Sequence, residues 1–265
     1  MGVVQTDKWL IDLWNEPIAM CELLIDYFSD VPDVSAAEIY QYLTMYGMYQ
    51  QPLKDMEEQI HILMDKNSWK IINEEAQALS KQWDGPNIPI FIFPSDQSNT
   101  ELKETFNGKA GLSFHDKLFL FLSGGNSATE LKALLTHEYN HVCRLTKLDK
   151  KVEDFDLLDT IILEGLAEHA VMECVGAKHR ADWTRYYADE ELEKIWKQFI
   201  LPSIHLPKTH REHDAILYGK DRYPKMAGYC VGYYLVKKYI EKNNFSSTEL
   251  LSIPSLAIAQ IKQTD

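Results

Sequence analysis

The chain has 265 residues, of which 45% are hydrophobic and 25% are charged, and this composition is typical of a folded globular protein with a sizeable core. Its 27 basic and 40 acidic residues leave a net charge of −13, which repels nucleic-acid phosphates and anionic membrane surfaces, so neither is expected as a partner. No apolar run reaches the roughly 18 to 20 residues of a membrane-spanning helix.

The four cysteines are Cys21, Cys143, Cys174 and Cys230, and none forms a CxxC pair. In a chain of this length such scattered cysteines indicate reduced, partly buried thiols. We therefore expect a cytoplasmic protein without a standard secretion signal.

Helices are predicted for the first 85 residues, which we treat as an N-terminal helical region. The first predicted helix contains KWLIDLW, and Ser35 with Glu38 forms a capping box that opens another. A further helix is predicted over 54–83. This region carries no recognisable chemistry.

The period of the hydrophobic pattern changes after the turn DGPN. The segments 88–94 (IPIFIFP), 111–114 (GLSF) and 117–123 (KLFLFLS) are predicted strands, the last two joined by a short turn. A capping box of Ser127 and Glu130 then predicts a helix ending near Lys147. Further helices are predicted over 155–175, 189–200 and 224–242, with short helical pieces in the last twenty residues. Residues 86–265 are predicted to form one domain, and a single continuous domain over the whole chain is the alternative.

HEYNH, residues 137–141, lies on the helix that follows the strands. His137 and His141 are four residues apart, so both imidazoles project from one face and are able to reach one metal ion. Core histidines whose ring nitrogens bond to the backbone are the alternative interpretation.

The next predicted helix carries Glu164 and Glu168, also four residues apart, on an apolar face. Two such carboxylates repel each other and are costly to bury unless a cation or strong donors lie opposite them. If Glu164 joins His137 and His141 on Zn²⁺, three protein ligands leave one position open, as in catalytic zinc sites. Glu168 then accepts the outer N–H of a ligand histidine, for which we favour His137.

Glu138 lies about 100° around the helix from His137, so it flanks the metal position instead of binding there. Zinc lowers the pKa of its bound water to about 7, and a neighbouring carboxylate is able to take the proton and return it to the leaving amine. Glu138 is therefore the predicted general base.

The motif HEYNH, followed 23 residues after its second histidine by EGLAE, resembles the gluzincins, the thermolysin-like clan of zinc peptidases. This resemblance implies His137, His141 and Glu164 as ligands, Glu138 as base and Glu168 as the partner of a ligand. In that clan an edge strand that binds substrate precedes the active-site helix. Residues 88–261 also resemble a bacterial family of predicted Zn-dependent proteases, through HEYNH, LEGLAEH and AGYCVGYYL.

A donor for the oxyanion is not recognisable from the resemblance. Tyr229 is our candidate, and Gly228 and Gly232 would let its helix approach another element closely. Ordinary aromatic packing of Tyr229 is the alternative interpretation. The residues His210, His213 and Tyr223 are alternative donors; we assign no role to the five histidines His61, His115, His169, His179 and His205.

The patterns predict an α+β fold, mostly helical, with a small mid-chain sheet packed on the helix that carries HEYNH, and the resemblance implies that this fold is zincin-like. The predicted activity is peptide-bond hydrolysis, with peptide or protein substrates added antiparallel along Gly111, Leu112 and Ser113. Two alternatives remain: a zinc hydrolase of a non-peptide amide, and a zinc-stabilised binding or regulatory protein without turnover.

Overall fold

The computed structural model describes residues 2–50, 55–148 and 150–261. The chain forms two compact units, Met1–Val142 and Cys143–Asp265, and the division falls inside one long helix. The boundary that we predicted near residue 85 stays a prediction. Among the described residues, no helix combines the length and the apolar character that a membrane crossing requires.

The first unit contains a four-stranded sheet and six complete helices among its described residues. The strands are β1 (Gly2–Val3), β2 (Pro89–Pro94), β3 (Ala110–Ser113) and β4 (Leu118–Leu122). The helices are α1 (Thr6–Leu13), α2 (Pro17–Glu22), α3 (Ala36–Met45), α4 (Met56–Asp65), α5 (Ser68–Trp83) and α6 (Thr100–Phe106). A seventh helix, α7 (Ala128–Lys147), begins in this unit.

The sheet has the order β1-β2-β4-β3, so β3 lies at one edge of the strands that the structure describes. β1, β2 and β4 run parallel, and β3 pairs antiparallel with β4. Every residue of β4 is buried, as expected for a strand covered on both faces. The fold is therefore mostly helical with a small mixed sheet, as predicted.

Helices α1 to α4 pack onto one face of this sheet. Phe91 and Phe93 of β2, with Phe119 and Phe121 of β4, belong to the same apolar cluster as the buried residues of α1 to α3. The rings of Phe91 and Phe119 stack with centroids 4.9 Å apart. The N-terminal helices thus supply the cover that the aromatic face of the sheet needs.

The second unit is helical among its described residues and is built around one buried helix. Its helices are α8 (Leu157–Cys174), α9 (Asp189–Ile195), α10 (Arg211–Tyr218), α11 (Ala227–Asn243), α12 (Ser247–Leu250) and α13 (Ser255–Ile258). A capping box of Asp156 and Asp159 opens α8. Most of α8 is buried on all sides, which is typical of a central core helix.

Glycines allow α8 and α11 to pack with their backbones in close contact. A Cβ on Gly165 would lie 2.4 Å from the carbonyl carbon of Gly232, and a Cβ on Gly232 would lie 1.8 Å from the carbonyl oxygen of Ile161. Both positions therefore exclude any side chain. The close approach expected from Gly228 and Gly232 is confirmed.

Several predicted elements differ from the structure. The helix predicted over 54–83 is two helices, because Asn67 adopts a left-handed conformation (φ 57°) between α4 and α5; residue 54 lies outside the described residues. The segment predicted over 189–200 changes at Trp196 from α-helix to a wider π turn. Three elements were not predicted: β1, α6 and α10.

Candidate metal centre

The two histidines of HEYNH lie on α7, which begins at the predicted capping box. Ser127 and Glu130 exchange side-chain and backbone hydrogen bonds there. His137 is half-buried and His141 is buried, and their rings lie edge to face with centroids 4.6 Å apart. The predicted spacing of the two imidazoles on one helical face is therefore confirmed.

Glu164 lies on α8 near these imidazoles. One ligand atom from each of His137, His141 and Glu164 forms a group in which all three atoms lie within 4.8 Å of one another. Elsewhere in the described ranges, no other such group of three His, Cys, Asp or Glu side chains occurs. The structure thus brings together the three residues predicted as ligands.

The chemistry of this group fits zinc. Two imidazole nitrogens and one carboxylate oxygen form the His₂Glu donor set of several catalytic zinc sites, where each ligand lies about 2.0–2.2 Å from the ion. Two ligands of one tetrahedral ion are therefore about 3.3–3.6 Å apart, a separation that falls within the 4.8 Å limit of these three atoms. Neutral imidazoles and a carboxylate on apolar helix faces are also costly to bury together without a cation.

Glu138 is buried, with 8% of its surface exposed, and packs against the edge strand β3. The hydroxyl oxygen of Ser113 lies 2.6 Å from Glu138 Oε2 and 2.9 Å from the Glu138 carbonyl oxygen, so it donates its one proton to either acceptor. A Cβ on Gly111 would lie 2.3 Å from Glu138 Cγ. Because residue 111 has no side chain, the backbone of β3 is able to lie directly beside this carboxylate.

The side chains of β3 alternate between two environments. Gly111 and Ser113 face Glu138, whereas Ala110 and Leu112 pack against the aromatic cluster of the sheet. This alternation follows from the pleat of a strand. The three residues predicted to bind substrate are thus on an edge strand, and one of them also contacts the predicted base.

Glu168 is buried, with 5% of its surface exposed, one turn after Glu164 on α8. Its Oε2 accepts a hydrogen bond of 2.7 Å from the backbone N–H of Ala181. This bond links α8 to the segment after Gly176. The predicted bond from Glu168 to a ligand histidine stays a prediction.

Tyr229 is half-buried on α11. Its ring lies edge-on to Trp183, with centroids 5.2 Å apart, and tilted against Tyr218, with centroids 5.6 Å apart. This aromatic packing was the alternative interpretation of Tyr229, and it orients the phenol. The role of Tyr229 as oxyanion donor stays a prediction.

The alternative donors take part in structural hydrogen bonds. Both ring nitrogens of His213 have partners, Asp214 at 3.0 Å and Thr160 at 3.2 Å. The side chain of His210 accepts from the backbone at the start of α10, and the Tyr223 hydroxyl contacts Arg222 at 3.0 Å. His213 lies on α10, a helix that the sequence did not predict.

Two contacts of this site were missed from the sequence, namely Ser113 with Glu138 and Ala181 with Glu168. Both join segments that are distant in the chain, and no local pattern marks them. Gly165, within EGLAE, was also missed, although an isolated glycine inside a predicted helix is a recognised sign of close packing.

Comparisons with known proteins agree with this chemistry. A family model described as "Predicted Zn-dependent protease (DUF2268)" matches residues 68–260. The uncharacterized protein YjaZ of Bacillus subtilis (strain 168) is 38% identical over 255 residues, which are 96% of this chain and 97% of that protein. The uncharacterized protein YjfC of the same strain is 20% identical over 181 residues, 64% of this chain and 60% of that protein. No solved structure matches at a significant level.

Proposed function

The chain belongs to the DUF2268 family of predicted Zn-dependent proteases, and from this premise we propose that it is a zinc metallopeptidase of the gluzincin type. One observation carries the proposal: the ligand atoms of His137, His141 and Glu164 lie within 4.8 Å of one another. A purely structural zinc site has no use for the buried carboxylate of Glu138 that adjoins His137 in the chain.

In this proposal His137, His141 and Glu164 hold one zinc ion. When bound, zinc supplies Lewis-acid polarisation of a carbonyl group and a water of pKa about 7. Three protein ligands leave one coordination position to water or substrate, which is typical of a catalytic site. The two imidazoles bind in their neutral form.

Glu138 is the general base of the proposed reaction. Its carboxylate takes a proton from the attacking water and then gives it to the leaving amine. The hydrogen bond from Ser113 restricts the rotation of this carboxylate, and Gly111 provides the room that it occupies. A base held in this way needs little reorganisation during the reaction.

Two further residues orient the proposed site. Glu168 accepts the outer N–H of His137, which selects the ring tautomer of the ligand. Its bond from Ala181 holds the Glu168 carboxylate in position. The phenol hydroxyl of Tyr229 donates a hydrogen bond to the developing oxyanion. The packing of Tyr229 against Trp183 limits the movement of its ring.

The substrate in this proposal is an extended peptide. It adds antiparallel to the edge strand β3, where backbone groups of Gly111, Leu112 and Ser113 bind it without demanding a sequence. We also propose a cytoplasmic location, which free cysteines support. Burial raises the pKa of the Cys21 and Cys230 thiols to about 12, so both are unreactive.

Metal analysis and a peptide-library cleavage assay test this function on the same preparations. We expect about one zinc ion per wild-type chain, and the substitution His137→Ala removes it because a ligand is lost. Glu138→Gln retains zinc but lowers peptide hydrolysis by about 10²- to 10⁴-fold, the usual contribution of a general base. The exposed carboxylate variant Glu58→Gln serves as a control with wild-type zinc and activity.

Each alternative function has its own signature in this experiment. Wild-type zinc content in His137→Ala contradicts the metal site. Zinc binding without hydrolysis of any peptide, but with hydrolysis of other amides, identifies a non-peptide hydrolase. Zinc binding with no turnover, and no effect of Glu138→Gln, identifies a zinc-stabilised binding protein.

A further inference from the structure

The second compact unit contains a cavity of about 280 Å³ whose described lining residues do not include His137, His141 or Glu164. It lies among α8, α9, α11 and the segment that follows α8. Its volume is slightly below the range typical of small-molecule sites, so it suits a small ligand. The cavity is independent of the proposed peptidase function.

His169 of α8 lines this cavity and is 97% buried, since only 3% of its surface is exposed. Its ring stacks on the ring of Tyr233, with centroids 4.4 Å apart. Neither ring nitrogen has a partner of ordinary hydrogen-bond geometry in the part of the chain that the structure describes. The Tyr233 backbone lies near the ring but outside that geometry, and a buried imidazole that is incompletely hydrogen-bonded is costly, so this residue indicates a ligand.

Burial, and then the positive charge of Arg180, lower the pKa of His169 to about 4; the nearby backbone of Tyr233 opposes part of this shift. The imidazole is therefore neutral at pH 7. In that form one ring nitrogen donates a proton and the other accepts one.

Arg180 is the cation in the cavity lining whose charge has no carboxylate partner within the described residues. Arg185 pairs with Asp182 at 2.9 Å, and Lys237 pairs with Asp189 at 2.9 Å. Arg180 instead donates through Nε to the carbonyl oxygen of Ala177 at 3.0 Å and through Nη1 to the hydroxyl oxygen of Tyr233, and its guanidinium lies over the Tyr233 ring. One proton on Nη1 and both protons on Nη2 remain, and these donors match the two oxygens of a carboxylate.

We propose that this cavity binds the carboxylate group of a small organic acid. Arg180 and one ring nitrogen of His169 donate hydrogen bonds to the carboxylate, and the apolar side chains in the lining contact the body of the acid. These side chains are Met172, Leu192 and Ile240.

The charge of the lining selects the kind of anion. Three basic and two acidic side chains line the cavity, which leaves a net charge of +1. A singly charged carboxylate balances this charge, whereas a dianion such as phosphate would leave the cavity with an excess negative charge. Benzoate is a suitable probe because it combines one carboxylate with an apolar ring.

Calorimetric titration with sodium benzoate, at constant ionic strength, tests the site. We expect saturable binding of one benzoate per chain, weakened by about tenfold or more in Arg180→Gln and in His169→Phe. Lys178→Gln is the matched control, because it removes the same charge from an exposed side chain that does not line the cavity. A second control, His137→Ala, detects benzoate that binds at the proposed metal site.

Four results would overturn the proposal: no saturation with about 50 mM benzoate, equal affinity in Arg180→Gln and Lys178→Gln, loss of binding in His137→Ala, or tighter binding of inorganic phosphate than of benzoate. His169→Phe keeps an aromatic ring in the place that stacks on Tyr233, and it removes an incompletely bonded polar group. We therefore expect this variant to unfold at the same temperature as the wild type or at a higher one. If His169→Phe does not fold, the affinity of Arg180→Gln for benzoate, compared with that of Lys178→Gln, still tests the proposal.

Discussion

At the scale of single residues, the site depends on which polar groups touch the predicted base. Glu138 is buried beside β3, with Ser113 at 2.6 Å and no room for a side chain at residue 111. Ser113 is predicted to bind substrate through its backbone, and its side chain also contacts the predicted base. A hydrogen bond to a charged group contributes about 1.5–3 kcal/mol, so this contact is large enough to affect the position and reactivity of Glu138.

The substitution Ser113→Ala therefore tests a positioning role. We expect kcat for peptide hydrolysis to fall about tenfold or more, with KM and zinc content near wild type, because the base loses its orientation. Ser113→Thr keeps the hydroxyl and should restore most of the activity. The exposed serine variant Ser29→Ala is the control. A rise in KM with kcat unchanged would instead support a substrate-binding role for Ser113.

At the scale of elements, α7 joins the capping box at its start to the histidines three turns later. Although burial opposes ionisation, hydrogen bonds from Ser127, Asn107 and Lys109 lower the pKa of Glu130 to about 2. These bonds attach the first turn of α7 to the loop before β3. The start of α7 thus depends on one ionised carboxylate.

Replacement of Glu130 by glutamine should therefore destabilise the protein in a pH-dependent way. A carboxylate whose pKa is lower in the folded state stabilises the fold above its usual pKa of 4.5, and this stabilisation is lost as the pH falls to about 2. We expect Glu130→Gln to lower the free energy of unfolding by about 1–2 kcal/mol at pH 7.

Urea unfolding at several pH values measures this effect. The difference between wild type and Glu130→Gln should narrow below pH 4.5 and nearly disappear near pH 2. Glu57→Gln, at an exposed residue in the first turn of α4, is the control. A difference that does not change with pH would show that the charge of Glu130 is unimportant.

At the scale of the whole molecule, each of the two compact units has its own apolar cluster. The cluster of the first unit joins the N-terminal helices to the sheet, and the cluster of the second surrounds α8 and α11. Zinc that binds only the folded chain would stabilise the folded state relative to the unfolded state by mass action.

Removal of metal should therefore lower the thermal stability of the wild-type protein. Saturation of a site at a thousand times its dissociation constant stabilises a fold by about 4 kcal/mol, so a chelator should lower the Tm by on the order of 10 °C. Scanning calorimetry before and after chelation, and after zinc is restored, measures the shift. His137→Ala should show no shift with chelator, whereas the exposed histidine variant His61→Ala should respond like the wild type. An unchanged wild-type Tm would contradict a bound zinc.

The sequence by itself determined the elements that carry the chemistry. Hydrophobic periods and capping boxes depend on residues within one turn or one strand, so they predicted α7, α8 and the three longer strands within a few residues. The spacing of His137 and His141 on one face follows from the geometry of a helix. The nearness of Glu164 was also predicted, because paired carboxylates on an apolar face need a cation.

Only the tertiary structure decided which distant groups surround these residues. The contacts of Ser113 with Glu138 and of Ala181 with Glu168 join separate segments, as does the pairing of β1 with β2. His169 had no predicted role, because its burial beside Arg180 depends on the packing of α8 and α11. Local sequence determines which face of an element a side chain occupies, whereas its partners depend on which segments pack against that face.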